Sequence, residues 1–287
     1  MGHAHSPRGV FDVLRSVVCT ALDRKTRRVR DLLTNRVVLV SGGTAGVGAA
    51  VVRSALAHGA RVAFSGRRTD VGTALERELR AAGHDVLYVQ ADVADPADAR
   101  ASVERTAEHY GRVDAVCISA GLTTRGSLLD TTPELFDQHV AVNLRGPFFV
   151  MQAAVRDMVR RGAPGTIVCI GSISARGGQP YLAPYVAAKA GLAGLTKNAA
   201  HAHRFDRIRI NTLDIGWTET EGEALTQKRF HDAPDDWAEQ AAARQPMGTL
   251  GRPDEIADAV VFLLSARSGV VTGSVIEWDQ QVVGGQD

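Results

Sequence analysis

Most of the fold prediction rests on one segment, Val37-Val38-Leu39-Val40-Ser41-Gly42-Gly43-Thr44-Ala45-Gly46-Val47-Gly48. It begins with four apolar, mostly β-branched residues, as expected of a buried parallel strand. Glycines then recur at the spacing Gly-x-x-x-Gly-x-Gly, and an alanine-rich helix is predicted through about Ala57. Glycines let a backbone approach a pyrophosphate, and the free N–H groups at a helix start bind anions. Strand, glycine turn and helix therefore predict a phosphate site; the alternative is an ordinary strand-to-helix turn.

Strand and helix patterns alternate from residue 36 to residue 279. Short apolar runs predict further strands at 61–65, 86–90, 114–118, 165–170, 207–213 and 272–279. Between them, helices are predicted at 70–82, 96–110, 133–161, 185–203 and 253–264. This alternation predicts one α/β domain at 36–287, a Rossmann-type doubly wound parallel sheet of about seven strands with helices on both faces. Segment 217–247 falls outside the alternation and is predicted to be a helical substrate lid.

The composition is that of a globular protein and excludes several classes of function. Of the 287 residues 45% are hydrophobic and 23% are charged, and the formal net charge is +1, so nothing suggests nucleic-acid binding. No apolar run reaches the roughly eighteen residues that span a bilayer. Cys19, Cys117 and Cys169 lack paired or metal-ligand spacing, which is typical of thiols in a reducing cytosol. We therefore expect a cytoplasmic protein.

Residues 1–35 precede the predicted domain as an N-terminal extension. Apolar residues recur at helical spacing from Val10 to Leu33, and the second half of this helix is basic (Arg24-Lys25-Thr26-Arg27-Arg28). Charged residues interrupt its apolar positions, which argues against a signal peptide. We favour a helix packed on the domain or across an oligomer contact. The alternative is a helix that binds a membrane surface or a partner protein.

A second informative segment is Tyr185-Val186-Ala187-Ala188-Lys189, with Ser172 upstream of the tyrosine. Residues four apart lie on one face of a helix, so the Tyr185 and Lys189 side chains can converge. An ammonium group beside a phenol favours the phenolate and lowers the pKa of the phenol. Pro184 suits the first turn of a helix, whose positive dipole end acts in the same direction. The Ser172 hydroxyl can then hold the oxygen of a carbonyl or alcohol while the tyrosine moves a proton.

Together these segments resemble the short-chain dehydrogenase/reductase family over about residues 36–280. The shared motifs are the Gly-x-x-x-Gly-x-Gly loop, Tyr-x-x-x-Lys with its upstream serine, and a Gly-Arg-Pro-Asp-Glu-Ile-Ala segment that begins at Gly251. The family usually has Thr where Ser41 stands, Asn-Asn-Ala-Gly at 118–121, and Pro where Ile215 stands. The resemblance implies the strand order 3-2-1-4-5-6-7 and a homo-oligomer, either a tetramer or a dimer.

The resemblance also implies reversible hydride transfer between a nicotinamide cofactor and a small-molecule carbonyl or secondary alcohol. Tyr185 would be the general acid in reduction and the base in oxidation, and Ser172 would bind the reacting oxygen. Lys189 would lower the pKa of Tyr185 and hold the nicotinamide ribose, and Asn143 would support a proton relay. The cofactor would carry the redox chemistry while the protein supplies position and electrostatics. We therefore expect an NAD(P)-dependent alcohol dehydrogenase, in particular a ketoreductase that uses NADPH.

The end of the second predicted strand bears on the choice of cofactor. An acidic residue there binds the ribose 2′-OH of NAD, whereas arginine can hold the 2′-phosphate of NADP. Gly66 stands where NAD-preferring members of the family carry Asp, and Arg67 follows, so NADP(H) is favoured over NAD(H). The alternative is that Arg67 and Arg68 are solvated loop charges. By resemblance, the cofactor contacts are Gly42, Thr44, Gly46, Val47, Gly48, Arg67, Asp92, Val93, Ala120, Gly121, Tyr185, Lys189, Gly216, Thr218 and Thr220.

The predicted lid supplies most of the candidate substrate contacts. These are Trp217, His231 and Trp237 in the lid and Ser174 near the catalytic serine. The alternative is that the aromatic residues only pack the lid onto the domain. No His-Glu-x-x-His or Cys-x-x-Cys pattern occurs, so we expect no metal. Two other functions stay open: a catalytically silent, cofactor-binding scaffold or regulator, and a non-redox reaction such as epimerisation or dehydration on the same site.

Overall fold

The computed structural model describes residues 31–282, which contain one seven-stranded sheet. Its strands are β1 (Val37–Ser41), β2 (Arg61–Gly66), β3 (Val86–Gln90), β4 (Ala115–Ile118), β5 (Gly165–Ser172), β6 (Ile208–Ile215) and β7 (Val275–Trp278). All neighbouring strands are parallel, in the order β3-β2-β1-β4-β5-β6-β7. The predicted doubly wound sheet and its strand order are confirmed.

Helices connect the strands and cover both faces of the sheet. They are α1 (Gly46–Ala57), α2 (Thr69–Ala81), α3 (Pro96–Tyr110), α4 (Pro133–Val140), α5 (Gly146–Arg160), α6 (Ala183–Ala202), α7 (Glu221–His231), α8 (Trp237–Ala242) and α9 (Pro253–Leu264). Parallel strands need such crossovers because each connection must return the chain to the starting edge of the sheet. Helices α7 and α8 fall within the predicted lid at 217–247.

Alternate residues of the central strand β1 belong to two separate hydrophobic clusters. Val38 and Val40 pack with residues of α1, α2 and α9, whereas Leu39 packs with residues of α3, α5 and α6. All five residues of β1 are buried, because successive side chains of a strand point to opposite faces and helices cover both. This packing explains the uninterrupted apolar run and holds the start of the glycine loop at the middle of the sheet.

The predicted helix at 133–161 is wrong in its middle, where a π-helical turn, Ala141–Arg145, separates α4 from α5. Pro147 lacks an N–H group and cannot donate the α-helical hydrogen bond to the carbonyl of Asn143, four residues earlier. The Asn143 side chain, within this π-helical turn, is fully buried and bonds the backbone of Leu122. Its Oδ1 accepts from the Leu122 N–H and its Nδ2 donates to the Leu122 carbonyl, both at 3.0 Å.

Some strand boundaries also differ from the predictions, and two of the differences position the site. Strands β5 and β6 each continue two residues past their predicted ends, so that Ser172 is the last residue of β5 and pairs with Ile215 of β6. Strand β7 is shorter than predicted. The extra pairing holds Ser172 rigidly at the carboxyl edge of the sheet.

Most of the predicted N-terminal helix lies at residues 1–30, outside the described part of the chain. Leu33 is fully buried in the same cluster as Val38, and its N–H donates to the His58 carbonyl at 3.0 Å. The packed core therefore includes a residue upstream of the predicted domain start at 36. None of the helices in residues 31–282 combines the length and the apolar character needed to cross a membrane.

Candidate active site

A cavity of about 930 Å³ opens at the carboxyl edge of the sheet. It is lined by residues that follow strands β1 to β6, together with residues of α7. In open parallel sheets, ligands bind beyond the carboxyl ends of the strands, where the strand order reverses. In this sheet the reversal lies between β1 and β4, and there the Ala120 N–H donates to the Ser41 carbonyl at 3.0 Å. Ser172, Tyr185 and Lys189 all line this cavity.

The glycine loop before α1 forms one end of the cavity. Gly42 and Gly46 have φ angles of 81° and 52°, which residues with side chains rarely adopt. A Cβ atom added at Gly48 would collide with the Gly42 carbonyl, so the loop and the helix are in direct backbone contact. Helix α1 begins with no side-chain cap and no acidic residue in its first turn. Its free N–H groups and its dipole suit a pyrophosphate, and this end of the cavity fits a nicotinamide dinucleotide.

Gly66, at the end of β2, lies against the glycine loop. A Cβ atom added at Gly66 would collide with the Thr44 side chain, so an acidic residue does not fit there unless Thr44 moves. Arg67 and Arg68 are exposed and line the cavity beside it. The Tyr88 hydroxyl donates to the Gly66 carbonyl at 2.8 Å and fixes this segment. The end of β2 therefore presents two guanidinium groups and no carboxylate.

The remaining residues predicted to contact a cofactor lie along the same cavity: Val47, Asp92, Val93, Ala120, Gly121, Gly216, Thr218 and Thr220. Asp92 has a local structural role as well, because its Oδ1 accepts from the Ala94 N–H at 3.0 Å. It does not cap helix α3. That cap is Asp95, whose side chain accepts from the Ala97 N–H at 2.6 Å.

Ser172 is held by hydrogen bonds on both sides. Its N–H donates to Oδ1 of Asp214 at 3.1 Å, and its Oγ accepts from the Ser174 N–H at 3.1 Å. Asp214 is only 1% exposed and stands opposite Gly171 in the β5–β6 pair. A Cβ atom added at Gly171 would collide with the Asp214 carboxylate. Asp214 is not among the predicted site residues, because this contact depends on the register between two distant strands.

Tyr185 and Lys189 are buried on the first two turns of α6. The Lys189 Nζ lies 5.7 Å from the centre of the Tyr185 ring and donates to the Ile170 carbonyl at 2.8 Å. Burial raises the pKa of Tyr185 to about 12, and the neighbouring Ser172 hydroxyl acts in the opposite direction. Burial also lowers the pKa of Lys189 to about 8.

The lowering of the Tyr185 pKa by Lys189 stays a prediction, because burial outweighs any such effect in the net shift. Removing a phenolate from water costs more than the nearby positive charges recover, so burial decides the direction of the shift. Glu223 and Asp214 raise the pKa of Tyr185 further, while Arg125 lowers it. Tyr185 is therefore protonated at neutral pH.

Asn143 lies behind the cavity wall rather than on it. His139, one turn earlier in the chain, is also fully buried. Its Nδ1 is 3.3 Å from the Asn143 Nδ2, and its Nε2 is 2.9 Å from the Thr124 Oγ1. Burial lowers the pKa of His139, so a neutral ring accepts from the amide at Nδ1 and donates to Thr124 at Nε2. The His139 ring also packs edge-on against Tyr185, with centroids 6.2 Å apart.

Three of the four candidate substrate contacts line the cavity, namely Ser174, Trp217 and His231. Trp237 does not line it. Its side chain is buried in a small cluster that Trp237 and Ala241 of the lid form with Leu250, and its ring centroid lies 6.2 Å from that of Trp217. Trp237 thus packs the lid, which is the alternative considered for the lid aromatics.

Several polar residues near these contacts were not predicted: Arg125, Gln179, Tyr181, Glu223 and Gln227 line the same cavity. Glu223, Gln227 and His231 are spaced four residues apart on α7 and form one stripe along it. This four-residue spacing is visible in the sequence and indicates that the three side chains share one face of a helix. Arg125 and Gln179 lie in loops, where no periodicity marks which side chains face a cavity.

Within residues 31–282, no group of three or more His, Cys, Asp or Glu side chains is placed to hold a metal ion. Cys117 and Cys169 are buried free thiols on β4 and β5. Burial raises the pKa of both thiols, that of Cys169 to about 12, so neither is a reactive thiolate at neutral pH.

Comparisons with known proteins agree with this architecture. A family model described as Enoyl-(Acyl carrier protein) reductase matches residues 42–280. An L-rhamnose 1-dehydrogenase (NAD(P)(+)) of Sphingomonas sp. (strain SKA58) is 35% identical over 247 residues, which cover 85% of this chain and 95% of that protein.

Two solved structures share the fold along nearly their whole length. Levodione reductase matches with a TM-score of 0.81 and 31% identity, covering 86% of this chain and 97% of that chain. A point variant of actinorhodin polyketide ketoreductase with NADPH matches with a TM-score of 0.81 and 29% identity, covering 85% of this chain and 96% of that chain.

Proposed function

Because this chain belongs to the short-chain dehydrogenase/reductase family, and is an NAD(P)-dependent oxidoreductase of CH–OH groups, we propose that it is a ketoreductase that uses NADPH. The reaction is the reduction of a small-molecule ketone to a secondary alcohol. The observation that carries the proposal is the buried Tyr185, which lines one cavity together with Ser172, Lys189 and the glycine loop.

The protonation of Tyr185 supports the reductive direction. A pKa of about 12 keeps the phenol protonated at neutral pH, and a protonated phenol is the form that donates to a carbonyl oxygen. Ser172 is arranged to bind the same oxygen, because its Oγ already accepts from the Ser174 N–H and its hydroxyl hydrogen is left to donate. When bound, the nicotinamide cofactor supplies the hydride.

Two further residues complete the proposed site. Lys189 holds the cofactor ribose from its buried position beside Tyr185, while its ammonium group stays hydrogen-bonded to the Ile170 carbonyl. Asn143, fixed by Leu122 and His139, supports the return of a proton to Tyr185 from behind the cavity wall. Both roles are those implied by the family resemblance.

The preference for NADPH over NADH rests on the end of β2. Gly66 leaves no carboxylate there to bond a ribose 2′-OH, and Arg67 offers a guanidinium to a 2′-phosphate. The similar rhamnose dehydrogenase is named for both NAD and NADP, and the similar polyketide ketoreductase was solved with NADPH. These names are consistent with use of the phosphorylated cofactor.

We also propose that the protein forms a homo-oligomer, either a tetramer or a dimer. Large apolar side chains are exposed along α4 and α5, among them Phe136, Phe148 and Val159. A second copy of the chain would cover such side chains, and sedimentation or light scattering of the purified protein measures this directly.

The test of the function is NADPH consumption by the purified protein with a panel of ketones, run beside NADH. We expect turnover with NADPH, a secondary alcohol as product, and slower turnover with NADH. Faster turnover with NADH would contradict the cofactor assignment alone. A product of unchanged oxidation state would instead indicate epimerisation or dehydration, and a protein that binds NADPH but turns over no ketone or alcohol would contradict the enzymatic proposal.

A further inference from the structure

The substrate end of the cavity is enclosed by a cluster of polar side chains from three separate segments. Arg125 comes from the loop after β4, Gln179 and Tyr181 come from the segment before α6, and Glu223, Gln227 and His231 come from the lid helix α7. We refer to these six residues as the polar cluster. Glu223 and Arg125 act on the pKa of Tyr185, but none of the six residues carries the transferred proton in the reaction proposed above.

Arg125 joins the three segments. Its Nε donates to the His231 Nε2 at 3.0 Å, and its Nη1 donates to the Thr123 carbonyl at 2.7 Å. Its guanidinium carbon lies 5.3 Å from the centre of the Tyr181 ring, and that ring packs edge-on against His231. Burial and the neighbouring Arg125 charge lower the pKa of His231, so a neutral imidazole accepts this hydrogen bond.

Glu223 balances the charge of Arg125. The Glu223 Oε1 lies 3.8 Å from the Arg125 Nη2, and both side chains are largely buried, at 12% and 16% exposure for Arg125 and Glu223. The same Oε1 accepts from the Trp217 Nε1 at 2.9 Å and from the Gln227 Nε2 at 2.7 Å. The pair is therefore close to neutral and is fixed in place by its neighbours.

Several polar atoms of the polar cluster lack a short hydrogen bond to any residue that the structure describes, and four of them belong to its amide, guanidinium and carboxylate groups. Two are donors, the Gln179 Nε2 and the Arg125 Nη2, and two are acceptors, the Glu223 Oε2 and the Gln227 Oε1. Hydroxyl groups both donate and accept, so a molecule with several hydroxyls satisfies such a mixed set. Tyr181 and Trp217 add aromatic surface to the same part of the cavity.

Other substrate classes fit this environment less well. An apolar ketone would cover the four polar atoms without bonding them, at a cost of about 1–3 kcal/mol for each buried group. An anionic substrate would meet the Glu223 carboxylate, and the charge of Arg125 is already balanced by that carboxylate. The cluster is also close to the reacting centre, since the Ser174 Oγ donates to the Gln179 Oε1 at 2.5 Å, two residues from Ser172.

We propose that the substrate is a neutral, polyhydroxylated molecule, a sugar or polyol or its keto form, whose hydroxyl groups bind to the polar cluster. The inference rests on the proposed function, because it names the substrate class of the same site. Gln179, Glu223 and Gln227 are then specificity-determining residues. They bind the hydroxyl groups on the carbons that do not react, and these hydroxyls are unchanged by the reduction.

The experiment compares substrates that differ in hydroxyl content, with the full-length protein and both cofactors. The hydroxylated probes are D-fructose and dihydroxyacetone for reduction, and xylitol and D-glucose for oxidation. The comparison probes are cyclohexanone and cyclohexanol, which lack further hydroxyls, and pyruvate, which carries a carboxylate. We expect kcat/KM for the best hydroxylated probe to exceed that for every comparison probe by at least about tenfold.

Variants then connect this preference to the polar cluster. Gln227→Leu and Glu223→Gln are expected to raise KM for the hydroxylated probe by about tenfold or more, whereas KM for cyclohexanone or cyclohexanol changes by less than about threefold. KM is the readout because Glu223 also acts on the pKa of Tyr185, which affects kcat with every probe. Glu239→Gln is the matched control, because Glu239 is an exposed acid on the neighbouring lid helix and does not line the cavity. Thermal unfolding of each variant establishes that the lid still folds.

The outcomes separate this inference from the proposed function. Efficient turnover of cyclohexanone or pyruvate that is lost in Tyr185→Phe, but unchanged in Gln227→Leu, would overturn the polyhydroxylated substrate and leave the reductase intact. Absence of turnover with every probe, in a protein that binds NADPH, would overturn both. Equal KM increases for hydroxylated and unhydroxylated probes in Gln227→Leu would overturn the inference, since they indicate a general effect on the lid.

Discussion

The Asp214 carboxylate accepts a hydrogen bond of 3.1 Å from the backbone N–H of Ser172, so a buried negative charge lies directly behind the residue that we propose binds the reacting oxygen. This charge raises the pKa of both Tyr185 and Lys189. Burial in turn raises the pKa of Asp214 itself, while the Ser172 N–H and the Arg176 and Lys189 charges lower it and Glu277 raises it. Asp214 is therefore a positioning residue with an electrostatic effect on the proposed acid.

The pH dependence of the Asp214→Asn variant tests this effect. The amide still accepts from the Ser172 N–H but carries no charge, so the pKa of Tyr185 falls relative to that of the wild type. With a lower pKa, the Tyr185 hydroxyl loses its proton at lower pH. The protonated form, which acts as the acid, therefore disappears at lower pH, and the phenolate, which acts as the base, appears at lower pH. We expect the alkaline limb of ketone reduction and the rising limb of alcohol oxidation both to move to lower pH, as measured by kcat between neutral and strongly alkaline pH.

Asp206→Asn is the control for this experiment, because Asp206 is an exposed aspartate whose partner is His203, away from the cavity. The contrary result is a folded Asp214→Asn protein whose pH profiles of kcat are unchanged or shifted to higher pH. It would show that Asp214 does not act on the pKa of Tyr185.

The Tyr185→Phe variant tests the proposed general acid. It removes the transferable proton but keeps the ring, so we expect kcat to fall by about 10²–10⁴-fold or more while NADPH still binds. Steady-state kinetics and cofactor fluorescence measure the two properties separately. Tyr110→Phe is the control, because the Tyr110 hydroxyl bonds Asp85 and does not line the cavity. Substantial activity in Tyr185→Phe would assign the proton to another group.

The Arg67→Ala variant tests the proposed NADPH preference. Hydrogen bonds to charged groups contribute about 1.5–3 kcal/mol, so we expect NADPH affinity to fall by about 10–100-fold and NADH affinity to change little. Direct binding titrations with both cofactors give the ratio of NADPH affinity to NADH affinity. Arg77→Ala, at an exposed arginine of α2 outside the cavity, controls for the loss of a positive charge. A ratio that stays constant would make Arg67 a solvated surface charge.

The Gly48→Ala variant tests the close contact in the glycine loop. The added methyl group collides with the Gly42 carbonyl, so we expect the free energy of unfolding to fall by about 1–3 kcal/mol and cofactor binding to weaken strongly. Gly194→Ala is the matched control, because Gly194 is exposed in helix α6 and has nothing near the added methyl group. There we expect a gain of about 0.5–1 kcal/mol from helix propensity. Chemical denaturation measures both values, and equal stability of the two variants would exclude the collision.

The sheet was predictable because its signals are local. The apolar run of β1 and the glycines after it are contiguous in the chain, and the same holds for the spacing of Tyr185 and Lys189 on α6. The π-helical turn was also signalled, because Pro147 stands where an α-helix needs an N–H to bond Asn143. A prediction based on apolar periodicity alone overlooks that missing donor.

The rest of the site depends on contacts between distant segments. The pKa of Tyr185 is raised mainly by its burial, which no residue spacing reveals, so the spacing of Tyr185 and Lys189 does not give the direction of the net shift. The position of Asp214 behind Ser172 follows from the register of β5 and β6. Arg125 joins His231 across 106 residues of sequence, so the polar cluster is visible only once the lid is in place.

The contact between Gly171 and Asp214 also restricts the order in which this protein can change during evolution. The Asp214 carboxylate fills the space that a Cβ atom at position 171 would occupy. A side chain at 171 is therefore accommodated only if the Asp214 carboxylate moves or is replaced by a smaller residue, and a descendant that keeps Asp214 in place keeps the glycine. We expect the two positions to change together in evolution, with loss of the buried charge preceding or accompanying loss of the glycine.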